Sequence, residues 1–183
     1  MDPAIACLEF ISIARGIRTC DEMAKKAPVR VIEATPICPG KYLVVIGGET
    51  GPVGEAYRHG LAIGGEAVVD ELYLPNAHEQ LFPAIAAATK IDQVDALGVV
   101  ETFSATAGIL AADASCKRAQ VELIELRLAR GMAGKAFYTM TGTIADMEAA
   151  IAAAEQIISA SSGYLLRTEI IRAPHPDLVA KIM

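Results

Sequence analysis

The stretch Ala27–Glu33 (APVRVIE) returns further along the chain as Ala119–Glu125 (AQVELIE). Other matches keep the same order on either side of it: Leu8-Glu9-Phe10 returns as Val100-Glu101-Thr102, Asp21 as Asp113, Gly40-Lys41 as Gly134-Lys135, and His78 as His175. Two copies of one unit, each of about 90 residues, therefore fill the 183-residue chain. A unit repeated in this way must pack against copies of itself, which indicates a role in assembly rather than a single catalytic cleft.

The composition restricts the class of protein. Hydrophobic residues make up 53% of the chain and the mean hydropathy is +0.39, yet no apolar run approaches the ~20 residues of a membrane span. We expect the surplus apolar surface in subunit contacts. A net charge of −6 with 5% aromatic residues argues against nucleic-acid binding. The chain start does not resemble a signal peptide and the four cysteines lack zinc-finger spacing, which favours a reduced, cytosolic protein without disulfides.

Each copy predicts the same order of elements, β-α-β-β-α-β-α. In the first copy we expect strands at 5–11, 29–34, 41–46 and 67–74, and helices at 15–27, 52–63 and 78–85. Strands at 97–103 and 164–171 and helices at 144–158 and 175–182 match them in the second copy. Gly47-Gly48 predicts a break after the third strand, and Thr143 with Asp146 predicts a capping box. The expectation is an α+β fold of two four-stranded sheets, with domains at 1–90 and 94–183 and a linker within 86–95.

Several stretches resemble the tandem-domain, trimer-forming class of bacterial microcompartment shell proteins. Residues 112–124 resemble the first helix and second strand of the single-domain shell hexamers, and residues 170–178 resemble their closing strand and turn. Residues 11–16 and 37–41 are most similar to propanediol-utilisation tandem shell proteins with an iron–sulfur cluster at the pore. The resemblance covers nearly the whole chain and implies two ferredoxin-like domains in the plain, non-permuted strand order.

The resemblance implies a structural protein rather than an enzyme. Three chains would form a pseudo-hexameric plate, with the loop between the second and third strands lining a central pore. Plates would join other shell proteins edge to edge in the bacterial cytoplasm, around metabolic enzymes that include redox enzymes. Lys25 and Lys117 stand where the family has its edge lysine. The family often has an arginine directly before its Pro-His turn; here Arg172 lies one position earlier, and Asn76 stands at that place in the first copy.

Cys38 is the candidate metal ligand. Pro36 and Pro39 restrict its loop, and Gly40 permits a tight turn. One thiolate per chain is too few for a cluster, which usually takes four, but a threefold axis would bring three together. The resemblance then implies one [4Fe-4S] cluster per trimer, whose fourth iron takes a solvent or small-molecule ligand. The alternative is a pore-lining thiol without metal.

The predicted pore loops differ between the copies. The first contributes Ile37, Pro39 and Gly40 beside the cysteine, and the second contributes Arg130, Gly131, Met132, Ala133 and Gly134 without one. The glycines of the second loop would leave backbone amides near the cluster sulfurs, which raises a reduction potential. Arg130 either favours the reduced, more negative cluster or is solvated or paired with an acid.

The remaining candidates are predicted to be structural. Cys7, Cys20 and Cys116 stand among apolar neighbours and are expected in the core. His78 and His175 are expected to make turn and cap hydrogen bonds, and His59 is expected to be exposed without a partner. The glycine pairs lack the spacing of a phosphate loop, and nothing resembles a Ser-His-Asp set.

These observations leave several functions open. The first is a shell protein whose pore cluster passes electrons across the shell or stores iron–sulfur units. The second is a shell protein with a metal-free pore for a small polar metabolite. The third is a trimeric regulator that binds small ligands between subunits. An independent thiol enzyme comes last, because no motif places a histidine beside Cys38.

Overall fold

The computed structural model describes residues 3–161 and 165–182. The first copy comprises β1 (Pro3–Phe10), α1 (Ile13–Lys26), β2 (Arg30–Ile37), β3 (Lys41–Glu49), α2 (Thr50–Gly64), β4 (Val68–Leu74) and α3 (Leu81–Ile85). The second comprises β5 (Ala96–Thr102), α4 (Ala105–Arg118), β6 (Glu122–Leu128), β7 (Ala136–Gly142), α5 (Ile144–Ala160), β8 (Leu165–Ile171) and α6 (Pro176–Ile182). The α+β fold with β-α-β-β-α-β-α order in each copy is confirmed.

Each copy forms an antiparallel four-stranded sheet. The strand orders are β2-β3-β1-β4 and β6-β7-β5-β8, so that β2 and β6 are matching edge strands. By contacts, the chain divides into one compact unit of residues 1–77 with 130–134, and another of 78–129 with 135–183. The short segment 130–134 thus belongs to the first unit, and α3 belongs to the second. The predicted domain limits at 90 and 94 stay a prediction.

The core of the first unit lies between its sheet and its two long helices. Side chains of β1 that point to the helices, such as Leu8 and Phe10, pack with Met23 of α1 and Val44 of β3. Cap residues begin the first helix of each copy: Ser12 accepts a hydrogen bond from Arg15 N at 3.3 Å, and its counterpart Ser104 does the same for Ala107 N. These caps satisfy backbone donors that the first helical turn leaves free.

A glycine in the first helix of each copy permits a close helix–sheet contact. A Cβ added at Gly16 would lie 2.8 Å from Tyr42 Cβ, and one at Gly108 would lie 2.7 Å from Ala136 Cβ. Real Cβ atoms do not approach so closely, and the two pairs stand at matching places of the repeat. The first helix therefore lies equally close to the third strand in both copies of the repeat, α1 to β3 and α4 to β7.

Three sequence-based expectations about element limits are wrong. Gly47 and Gly48 do not break β3, because strand partners on β1 and β2 hold the backbone extended as far as Glu49. The second strand runs past residue 34 to Ile37. It is an edge strand, so one of its sides has no strand partner, and a proline such as Pro36 is tolerated there because its missing N–H breaks no hydrogen bond of the sheet. The helix after His78 begins only at Leu81.

The other predicted elements agree within a few residues, and Thr143 caps α5 as expected, accepting a hydrogen bond from Asp146 N at 3.2 Å. The predicted start of the eighth strand at residue 164 lies outside the described residues. None of the described helices is both long and apolar enough to span a membrane.

Candidate functional site

The candidate ligand Cys38 lies in a three-residue turn between β2 and β3. The two strands pair up to Ile37 and Lys41, so the turn itself is Cys38-Pro39-Gly40. Ile37 is the last residue of β2 and its side chain is buried, and its predicted place at the pore stays a prediction. Cys38 is half-buried, Pro39 and Gly40 are exposed, and the Cys38–Pro39 peptide is cis. Gly40 has φ +70°, which fits glycine.

The loop 130–134 lies beside this turn in the same compact unit. Its base is closed by Ala129 N, which donates a hydrogen bond to Lys135 O at 2.9 Å. Its end touches the turn, since a Cβ added at Gly134 would lie 3.2 Å from Cys38 O. Gly134 has φ +87°, so any side chain there would be strained as well as crowded. The structure therefore brings the predicted first and second pore loops into contact.

Arg130 attaches the start of this loop to β2. Its Nη2 donates a hydrogen bond to Thr35 Oγ1 at 3.1 Å and lies 3.5 Å from Glu33 Oε2. Pairing with an acid, one of the alternatives for this residue, is the arrangement found. Glu33 offsets the charge of the Arg130 guanidinium, so this side chain serves to hold the loop 130–134 against β2. Gly131, Met132 and Ala133 lie between Arg130 and Gly134, and Gly131 has φ +71°.

The other three cysteines are poor sources of thiolate. Burial, together with Glu9 and Asp70, raises the pKa of Cys7 well above its ordinary value. Burial and then Asp113 raise the pKa of Cys116 to about 12, and burial and then Asp21 raise the pKa of Cys20. The core prediction is confirmed for Cys7 and Cys116, whereas Cys20 is only partly buried.

The donor set of one chain does not make a metal site. Within residues 3–161 and 165–182, no group of three or more His, Cys, Asp or Glu side chains could hold a metal ion. Cys38 is one thiol on an accessible turn, and a cluster needs three or four thiolates. The residues present therefore fit an iron–sulfur cluster only if several chains each contribute Cys38.

A lysine follows each of the two loops and pairs with an acid of the neighbouring strand. Lys41 Nζ lies 3.2 Å from Glu9 Oε2, and Lys135 Nζ lies 3.1 Å from Glu101 Oε1. The two pairs differ in burial: the Glu9 side chain is 1% exposed, whereas that of Glu101 is 35% exposed. Composition and spacing did not single out these pairs, although Gly40-Lys41 and Gly134-Lys135 were visible as a repeated motif.

The three predicted edge residues are not part of this pair of loops. Lys25 of α1 bonds to Asp21, and Lys117 of α4 bonds to Asp113 at 2.7 Å, in both cases one helical turn apart. Arg172, after β8, has its Nη2 3.7 Å from Glu148 Oε1. Their predicted role at the plate edge stays a prediction.

The repeated histidines make the expected turn hydrogen bonds. His78 Nδ1 accepts a bond from Gln80 N at 3.4 Å, and His175 Nδ1 accepts one from Asp177 N at 3.2 Å. The expectation that His59 has no partner is wrong, because its Nε2 lies 3.9 Å from Glu22 Oε2. Sequence reasoning also missed Gln80, whose position after a repeated histidine was the available signal.

Thiol alkylation tests how the four cysteines differ in reactivity. At about pH 8, iodoacetamide should modify Cys38 of metal-free protein first and Cys20 more slowly, and it should reach Cys7 and Cys116 only after unfolding. Burial and raised pKa values disfavour the reactive thiolate in the last two. Peptide mass spectrometry over time measures the order. Labelling of Cys116 in folded protein as fast as that of Cys38 would contradict it.

Comparisons with known proteins place the chain among shell proteins. The model of the BMC domain family matches residues 4–77 and again residues 96–174. The bacterial microcompartment shell protein PduT of Citrobacter freundii is 36% identical over 178 residues, which are 97% of this chain and 96% of that protein.

Two solved structures show the same architecture. A microcompartment protein from Desulfitobacterium hafniense has a TM-score of 0.93 and 40% identity, over 98% of this chain and 99% of that one. A fused permuted hexameric shell protein from the RMM microcompartment has a TM-score of 0.63 and 25% identity, over 88% of this chain and 86% of that one. The higher score against the first agrees with the plain strand order found here.

Proposed function

This chain belongs to the BMC-domain family of bacterial microcompartment shell proteins, and we propose that three copies form a shell plate whose Cys38 thiolates meet at a central pore and hold one [4Fe-4S] cluster. Shell building is the family's role. The plate would join other shell proteins edge to edge, and it would serve redox enzymes enclosed by the shell. A cluster of this kind supplies one-electron transfer, here between the two sides of the shell.

The position of Cys38 is the observation that supports the cluster. It is the cysteine that lies in a turn with a partly exposed side chain, while the other three have raised pKa values. The turn is short and lies between two paired strands, so its thiol has little freedom to move. Three such turns around a threefold axis would present three thiolates at equal distances from the axis. The contact with loop 130–134 limits the turn further on one side.

The loop 130–134 supplies the surroundings of the proposed cluster. Because the loop curls through Gly131 and Gly134 with positive φ, it presents backbone next to the cysteine without bulky side chains at these two positions. Backbone N–H groups near cluster sulfurs would raise the reduction potential. Arg130 is paired with Glu33, so its charge contributes little to that potential.

Oxygen-free purification of the unmodified protein tests the proposal. We expect about four iron and four sulfide ions per three chains, an EPR signal from one redox state, and the mass of a trimer by sedimentation in the same sample. A trimer without iron or sulfide would favour the metal-free pore for a small polar metabolite. A monomer would contradict the plate and the cluster together.

A further inference from the structure

A cavity of about 210 Å³ lies within the second compact unit. Three stretches that are distant in sequence line it: the segment 87–91 between α3 and β5, the strand β6, and the last turn of α6. Its volume is below the roughly 300–1,000 Å³ of pockets for drug-sized ligands, so a small metabolite would fill it. None of its lining residues belongs to the Cys38 turn or to the loop 130–134.

One side of the cavity is apolar. Three isoleucines line it, namely Ile91, Ile124 and Ile182. A regular strand turns neighbouring side chains to opposite faces, but the pairing of β6 with β7 shifts register between Leu123 and Glu125. A bulge of this kind changes the direction of side chains. The neighbours Ile124 and Glu125 therefore line the same cavity, one as an apolar wall and the other as a charged one.

The other side of the cavity carries more positive than negative charge. Arg127 Nε lies 2.6 Å from Glu125 Oε2, and the Glu125 side chain is only 15% exposed. Lys181 also lines the cavity, and it has no ion-pair partner among the described residues. Two cations thus face one carboxylate, which leaves room for one further negative charge.

A hydroxyl group at the wall of the cavity lacks a hydrogen-bond partner. Thr89 lines the cavity, and its Oγ1 is buried without a partner among the described residues. A buried hydroxyl in this state costs stability that a bound acceptor would restore. A carboxylate oxygen is such an acceptor. The unmet hydroxyl is therefore a second observation, independent of charge, that indicates an anionic ligand.

The first copy of the repeat has part of this pattern without the charge. Ile32 and Glu33 stand where the second copy has Ile124 and Glu125, and the strand pairing shifts register at the matching place. Thr35, however, stands at the place of Arg127, and the Glu33 carboxylate is paired with Arg130. The surplus of positive charge is thus a feature of the second copy.

We propose that this cavity binds a small monocarboxylate with a short alkyl chain. The carboxylate would lie between Lys181 and Arg127 and accept a hydrogen bond from the Thr89 hydroxyl, and the alkyl chain would lie against the three isoleucines. A doubly charged phosphate fits less well, because it would meet the Glu125 carboxylate and would leave the isoleucines without an apolar partner. The site depends neither on the proposed cluster nor on the trimer.

The ligand would also attach α6 to the strand β6. No described residue of α6 is buried, so the helix has few contacts that hold it in place. A carboxylate that bonds Lys181 and Arg127 at once would join the end of α6 to the strand. We therefore expect hydrogen exchange of the α6 backbone amides to slow when the ligand binds.

Butyrate is the probe for this site. Titration into the unmodified protein, followed by NMR of the butyrate signals, should give a dissociation constant of about a millimolar, as suits so small a ligand. Butyramide has the same shape without the charge and should bind at least about tenfold more weakly, since it lacks the charge-assisted bonds. Inorganic phosphate should bind more weakly than butyrate.

Two lysine variants distinguish the cavity from general attraction of anions. Lys181→Gln should weaken butyrate binding at least about fivefold, because it removes the cation that lacks a partner. Lys90→Gln makes the same change of charge at an exposed residue that does not line the cavity, and it should change the dissociation constant less than about twofold. Both positions are exposed, so neither change disturbs the core.

The outcomes separate clearly. Absence of butyrate binding at tens of millimolar would overturn the site, as would equal weakening in Lys181→Gln and Lys90→Gln. Equal affinity for butyramide would overturn the role of the carboxylate. Hydrogen exchange mass spectrometry of residues 176–182 that shows no change at saturating butyrate would overturn the attachment of α6. Selective loss in Lys181→Gln together with slower exchange in α6 would support the proposal, whatever the iron content of the protein.

Discussion

Cys38→Ser is expected to lower the iron and sulfide content of protein purified without oxygen at least about tenfold. Serine offers a hard oxygen in place of the soft thiolate that an iron–sulfur cluster requires. The absorbance and the EPR signal of the cluster should disappear in parallel. The trimer should persist, since Cys38 is half-buried in a turn and lies outside the apolar core of its unit. Metal analysis, spectroscopy and sedimentation on one sample measure all three.

Cys20→Ser is the matched control for this variant. Cys20 is also half-buried, yet it packs against the core from α1, and burial raises its pKa. Its replacement should leave the iron content unchanged. Equal iron content in the unmodified protein and in Cys38→Ser would contradict a cluster bound by Cys38. Loss of iron in Cys20→Ser alone would show that Cys20, not Cys38, is needed for iron binding.

Lys41→Met is expected to lower the free energy of unfolding by about 3–5 kcal/mol, because it removes the cation 3.2 Å from the buried Glu9 carboxylate. Glu9 is 1% exposed, so water has little access to its carboxylate. Urea unfolding in a metal-free Cys38→Ser background measures the effect without a contribution from a cluster. The background keeps Lys41 and Glu9 intact.

The repeat provides the control for this prediction. Lys135→Met removes the corresponding cation from Glu101, but that carboxylate is 35% exposed and stays hydrated. Its loss should cost at most about 1 kcal/mol. The double variant Glu9→Gln with Lys41→Met should regain most of the lost stability, since a neutral amide then replaces the buried carboxylate. Equal effects of Lys41→Met and Lys135→Met would contradict the role of burial.

Much of the fold could be predicted because the same pattern occurs twice. The apolar strands, Pro28 after the first helix and the capping pair Thr143 and Asp146 are local signals, and the structure places elements where they indicate. Gly47 and Gly48 misled the prediction because strand pairing on both sides, a tertiary effect, outweighed the local preference of glycine. Pro36 misled it in the same way, because only the sheet order places β2 at an edge.

The candidate site could also be predicted only in part. Cys38 could be singled out from its flanking prolines and Gly40, and from the resemblance of its loop. Nothing in the spacing of the chain indicated that Arg130 would bind Glu33 and Thr35, residues far from it in sequence. Gln80 was missed for the same reason, since its partners, Val121 and Leu123, belong to the other copy.

Local signals in the sequence were enough to predict a duplicated α+β unit, its order of elements and a cysteine in a loop, because periodicity, prolines and caps act over a few neighbouring residues. The folded chain was needed to show which of two similar ion pairs is buried, that the segment after His78 covers the edge strand β6, and which loop touches Cys38. These features depend on burial and on contacts between residues distant in the chain, and the two copies differ in them because their surroundings differ.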